Sequence, residues 1–141
     1  MLSNMYDLSR FHKAQEYSYD DALAEIKAGR KRSHWIWYIF PQIAGLGFSS
    51  TSQFYALHNL DEAKAYLEDP ILKARLEEIS SALLELDSSD PSAVMGYPDD
   101  LKLCSSMTLV ELADPESPIY PAVLDKFFHG QRDERTIQLV G

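Results

Sequence analysis

Three consecutive cations, Arg30-Lys31-Arg32, stand directly before Ser33-His34-Trp35-Ile36-Trp37-Tyr38. Ser33 is a suitable N-cap for a helix beginning at His34. Cations are out of place there, because the free N–H groups of a helix start already carry partial positive charge. Cations and free N–H groups together attract an anion. The residue types therefore point to a phosphate or carboxylate site at Arg30, Lys31, Arg32 and Ser33. Trp35, Trp37 and Tyr38 would supply faces for a planar ring, and Gln42 closes the block. His34 is the candidate for proton transfer, since an imidazole titrates near neutrality. The same residues have a structural reading. Lys27 and Arg30 suit the end of a preceding helix, basic residues pair with carboxylates, and two tryptophans on a short helix commonly make core.

The second stretch with chemical potential is Asp99-Asp100-Leu101-Lys102-Leu103-Cys104-Ser105-Ser106-Met107-Thr108-Leu109. In a helix, Leu101, Cys104, Ser105, Thr108 and Leu112 share a face. Lys102, Ser105 and Thr108 would offer donors to phosphate or ribose oxygens. Alternatively, the small side chains admit a neighbouring helix, with Cys104 a small hydrophobe. His12, His58 and His129 form no metal-ligand spacing with carboxylates or Cys104, so no metal site and no cofactor is expected. Gly45-Leu46-Gly47 lacks the third glycine and the preceding strand of a dinucleotide fingerprint and reads as a loop.

The elements that must position these groups are helical almost throughout. Tyr19, Ala22, Leu23 and Ile26 recur on one helical face, with Ser18 as a cap and Gly29 as a stop. Asn59 with Glu62 resembles a capping box before Ala63, Tyr66 and Leu67. Asp69-Pro70 ends that helix and begins another, in which Leu72, Leu76, Ile79, Leu83 and Leu86 alternate by four and three. Further helices are predicted from about Pro98 to Leu112, from Ile119 to Phe128 and from Asp133 to Val140. Trp35 to Phe40 is rich in strand formers, but no second strand is available to pair with it, so it reads as a buried helix.

Composition sets the outer bounds. The chain has 141 residues, 45% hydrophobic and 25% charged, which fits one globular domain able to bury its own core. Its net charge of -9 repels a phosphate backbone, so duplex nucleic acid is not an expected partner. Lys27, Arg30, Lys31 and Arg32 nevertheless gather four of the 13 basic residues in six positions, which leaves room for a local anion site. The lone Cys104 forbids an intrachain disulfide and suits a reducing compartment. Met1 to Asp7 has no basic region followed by an apolar run, and Trp35 to Pro41 is too short to span a bilayer. The expected setting is cytoplasmic, with no membrane partner.

Several blocks together resemble the bacterial family known as domain of unknown function 1810, sometimes labelled calpastatin-like. They are Arg10-Phe11, Ala14-Gln15, Gly29 to Gln42, Gly45-Leu46-Gly47 with Ser49, and Tyr55-Ala56. Glu62-Ala63 with Tyr66-Leu67, Leu101-Lys102, Ser105 to Leu109, and Phe127-Phe128 with Gly130, Asp133 and Thr136 complete the set. The resemblance spans nearly the full chain. It implies a small multihelical fold, and little about activity. It also implies a basic residue in many relatives where Cys104 stands here, so an anion contact from that position would be missing. The calpastatin label conflicts with this globular composition, since calpain inhibitors of that name are disordered. A looser similarity is to the helical family called NADAR, in the pattern of an aromatic-rich helix followed by basic and hydroxyl groups. It implies an anionic ligand with a stackable ring.

The expectation is thus an all-α single domain of about six to eight helices. It would bind, or bind and hydrolyse, a small anionic nucleotide-like ligand such as an ADP-ribose or NAD derivative. The alternative is a non-enzymatic interaction module or homodimer.

Overall fold

The computed structural model describes residues 6–141. Met1 to Met5, on which part of the N-terminal reading rests, lie outside the described residues. Nine helices occur among the described residues, six of them of seven residues or more: α1 (Ser9–Lys27), α2 (Ile36–Ile39), α3 (Ser50–Tyr55), α4 (Leu60–Glu68), α5 (Pro70–Leu84), α6 (Pro91–Met95), α7 (Asp99–Ala113), α8 (Ile119–Phe128) and α9 (Glu134–Val140). Extended pairing among the described residues is limited to one parallel bridge, between Ile43 and Leu57.

α7 is the centre. Its residues Ser105 to Val110 are all buried, as expected of a segment covered on every side, and α4, α8, α6, α9 and α2 pack around it. α5 lies against α1 and α8 through Leu72, Leu76, Ile79 and Leu83, none more than 1% exposed. Asp69 ends α4 and caps α5. Its carboxylate accepts from Ile71 N at 3.0 Å and Leu72 N at 3.1 Å, with Pro70 next to it in the first turn. The same carboxylate lies 2.7 Å from His12 Nε2 on α1. Asn59 caps α4 by accepting from Glu62 N, but Glu62 reaches back to His58 N instead of Asn59 N.

Two local expectations are corrected. α1 begins at Ser9, so Ser18 lies inside the helix and does not cap it. The buried stripe runs Phe11, Gln15, Tyr19, Ala22, Ile26. The polar Gln15 interrupts the apolar pattern but is satisfied by donating to Tyr38 O at 2.8 Å. Ser18 accepts from the Tyr38 hydroxyl at 3.0 Å. Ser33 likewise does not cap α2, whose N-cap position is Trp35, without a side-chain cap bond.

Candidate functional site

The chain leaves α1 through Gly29, whose φ of +85° is a left-handed conformation that glycine adopts without strain. That reversal lays residues 32–35 back along the last turn of α1, over Glu25. One oxygen of Glu25 accepts from Arg32 N at 2.6 Å, Ser33 N at 3.0 Å and the Trp35 indole N–H at 2.9 Å. The other accepts from the Ser33 hydroxyl. Burial would raise the Glu25 carboxyl, but these bonds outweigh it and bring it down to about 2. The anion attracted by this segment is therefore the chain's own carboxylate, and the backbone donors of Arg32 and Ser33 are spent on it.

The three cations diverge. Arg30 and Arg32 are exposed. Lys31 turns inward, its side chain 6% exposed, and Nζ sits 2.7 Å from Asp99 Oδ2 and 4.9 Å from the Trp35 ring centroid. Lys102 approaches the other oxygen of Asp99 at 3.1 Å and stands 4.7 Å from the Trp37 ring centroid. Burial would raise the Asp99 carboxyl, but the two ammonium groups reverse this and hold it below the ordinary carboxylate range. Two ammonium groups share one carboxylate, so the cluster keeps an excess positive charge.

The two tryptophans have different roles. Trp35 is 1% exposed and belongs to the core. Trp37 is half-buried and forms a wall common to two clefts. One, of about 300 Å³, is lined by His34, Tyr38, Ser49, Thr51, Asp99 and Lys102. The other, of about 210 Å³, is lined by Ile43, Gly45, Gly47, Ser52, Gln53 and His58. Gln42 is buried and fastens the loop after α2 to α7, donating to Lys102 O at 2.8 Å and Phe40 O at 3.0 Å. Gly47 sets the width of the smaller cleft. A Cβ there would lie 2.7 Å from Ser52 Cβ and 2.9 Å from Trp37 Cη2. Gly47→Ala is expected to cost about 2 kcal/mol by overpacking and to displace the indole. Urea unfolding and tryptophan emission check this, and an unchanged emission maximum with full stability would contradict it.

The structure thus brings His34, Trp37 and Lys102 to one cleft and ties Gln42 and Lys31 to its wall. It does not bring Ser105 and Thr108 there. The Ser105 hydroxyl donates to Asp133 Oδ2 at 2.9 Å, and Thr108 Oγ1 accepts from Asp133 N at 2.9 Å. Both hold the start of α9. Cys104 is half-buried, and burial first, then Asp133, pushes its thiol up to about 11, so it is protonated at neutral pH. Sequence reasoning missed Glu25, Asp99 and the pair His58–Glu62. The His58–Glu62 spacing of four before a helix was a usable signal. No group of three metal-capable side chains occurs among the described residues, and no helix among them is long and apolar enough to cross a membrane.

Comparison with known proteins agrees with this architecture. No curated protein matches the sequence. The crystal structure of the conserved hypothetical protein Rv1873 from Mycobacterium tuberculosis is similar, with a TM-score of 0.93, 41% identity and 96% of each chain covered. The family described as protein of unknown function (DUF1810) matches residues 5–140. With a match of that extent and a near-superposable relative, the chain belongs to the DUF1810 family.

Proposed function

We propose that this protein binds a small anionic, nucleotide-like ligand, such as an ADP-ribose or NAD derivative, at the larger cleft beside Trp37. The observation that carries the reading is the Lys102 ammonium 4.7 Å from the centroid of the half-buried Trp37 ring. An indole face beside a partly neutralised cation suits a planar group attached to a phosphate or carboxylate. His34 lines the same cleft and is the group placed for proton transfer if the ligand is hydrolysed. Arg30 and Arg32 remain exposed for longer-range attraction. A lone thiol suits the reducing cytoplasm as the place of action.

Titration with ADP-ribose, NAD and adenine nucleotides tests the reading. Binding is expected to quench Trp37 emission and to raise Tm by several degrees once ligand exceeds about 100 times its Kd. Lys102→Met keeps the aliphatic stem over the indole and removes the charge, so affinity should fall roughly tenfold, as for one charge-assisted contact. Equal affinity in wild type and Lys102→Met would sink this placement of the anion. Chromatography of the titrated samples reads turnover.

A second reading rests on Phe48, 88% exposed, and Tyr97, 80% exposed, which stand one and two residues from the cleft residues Ser49 and Asp99. Exposed aromatics of this kind suit a protein partner or a second copy of the chain. Sedimentation over a range of concentrations distinguishes the homodimer, and a monomer throughout would remove it.

A further inference from the structure

The smaller cleft on the far side of Trp37 carries chemistry that the anion contact does not use. His58 Nδ1 lies 2.8 Å from Glu62 Oε1. Glu62 has a side chain 4% exposed and also meets His58 N at 2.7 Å and Arg10 Nη2 at 3.5 Å. A carboxylate can only accept, so Nδ1 carries a proton, and the neutral tautomer with that proton presents Nε2 as an acceptor. Among the described residues Nε2 makes no hydrogen bond. Gln53 repeats the pattern. Its Nε2 donates to Phe48 O at 3.1 Å, which leaves Oε1 as a second unspent acceptor. Both residues line the smaller cleft, where Gly47 keeps a side chain out.

We infer that this cleft is a subsite for a pair of neighbouring hydroxyl groups, such as the cis-diol of a ribose, with His58 Nε2 and Gln53 Oε1 as the acceptors. The inference rests on the ligand reading above and names the part of the ligand remote from its anion. The arrangement is then a cation at Lys102, an indole wall in the middle and two acceptors beyond it. An anionic sugar presents the complementary order: a charged group, a ring with an apolar face, and donor hydroxyls. Replacing one hydroxyl by hydrogen leaves an acceptor without its donor, which is the discriminating loss.

The test compares AMP with 2′-deoxy-AMP, and ribose 5-phosphate as a probe without a base, by quenching of Trp37. Wild type is expected to bind AMP roughly tenfold more tightly than the deoxy nucleotide, the worth of about one hydrogen bond, and to retain ribose 5-phosphate. In His58→Phe and in Gln53→Leu the gap between AMP and its deoxy analogue should shrink while both still bind. Both side chains are exposed, that of His58 at 72%, so both variants are expected to fold. Equal affinity of wild type for the two nucleotides, or an unchanged gap in the Gln53 variant, overturns the subsite and leaves the anion site standing. Loss of ribose 5-phosphate binding with AMP retained would also overturn it, because the base and not the diol would then be read. Failure of wild type to bind any of the three overturns the ligand reading itself.

Discussion

Replacing Trp35 by alanine is expected to lower the unfolding free energy by about 4 kcal/mol, in the range for deleting a fully buried aromatic. The indole is 1% exposed, tilted against Phe40 at 6.0 Å between centroids and covered by the Lys31 ammonium. Its N–H donates to Glu25, so the truncation also removes one donor from that carboxylate. A domain of this size has roughly 5–15 kcal/mol in total, and the variant would be marginal at body temperature. Urea denaturation read by circular dichroism measures the loss. Trp37→Ala, at a half-buried position, should cost well under half as much. Comparable losses at the two positions would contradict the division into a core indole and a cleft indole.

The second large effect concerns Glu25. Glu25→Ala leaves Arg32 N, Ser33 N and the buried Trp35 N–H without their acceptor and is expected to cost about 2 kcal/mol. Glu25→Gln keeps an acceptor oxygen and should cost less at neutral pH, but it removes a titration. The carboxyl lies at about 2 in the fold against an ordinary value of 4.5. A depressed value means that its stabilisation is fully present above 4.5 and is lost as pH falls towards 2. Wild type should therefore lose more stability than Glu25→Gln over that acidic interval. Parallel acid curves for the two proteins would show that Glu25 is not the anion of this segment.

Where the sequence pattern depends on neighbours along the chain, it was legible. The stripe Leu72, Leu76, Ile79, Leu83, the Asp69-Pro70 junction and the span Ile119 to Phe128 all agree with the fold. Local capping and periodicity decide those elements. The start of α1 was hidden because Gln15 sits on the buried face and is satisfied by residues 23, 51 and 60 positions away, Tyr38, Tyr66 and Arg75. α3 and α6, of six and five residues, are too short to show a period.

In the candidate site, the segment Arg30 to Ser33 does meet a carboxylate of the chain, but through backbone N–H groups and the Ser33 hydroxyl and not through its three cationic side chains. That the anion is Glu25, one helical turn before the reversal at Gly29, is a fact of tertiary geometry. Lys102 follows Leu101 by one residue, about 100° around the helix. It stands about 120° from Thr108 and reaches Trp37, while Ser105 and Thr108 meet the start of α9. The Lys31–Asp99 and Arg10–Glu62 pairs were not legible because their members come from distant parts of the chain.

Asp69 has a consequence for motion as well as for shape. The backbone N–H of Asp69 closes α4, and its carboxylate opens α5 and touches His12 of α1. Ends of helices ordinarily fray independently and exchange their amide hydrogens fastest. Here fraying at the end of α4 would strip the first turn of α5 of its acceptor and free His12 of α1 at the same moment. The two helix ends are therefore expected to open as one unit, with amides that exchange together and more slowly than those of a free helix terminus.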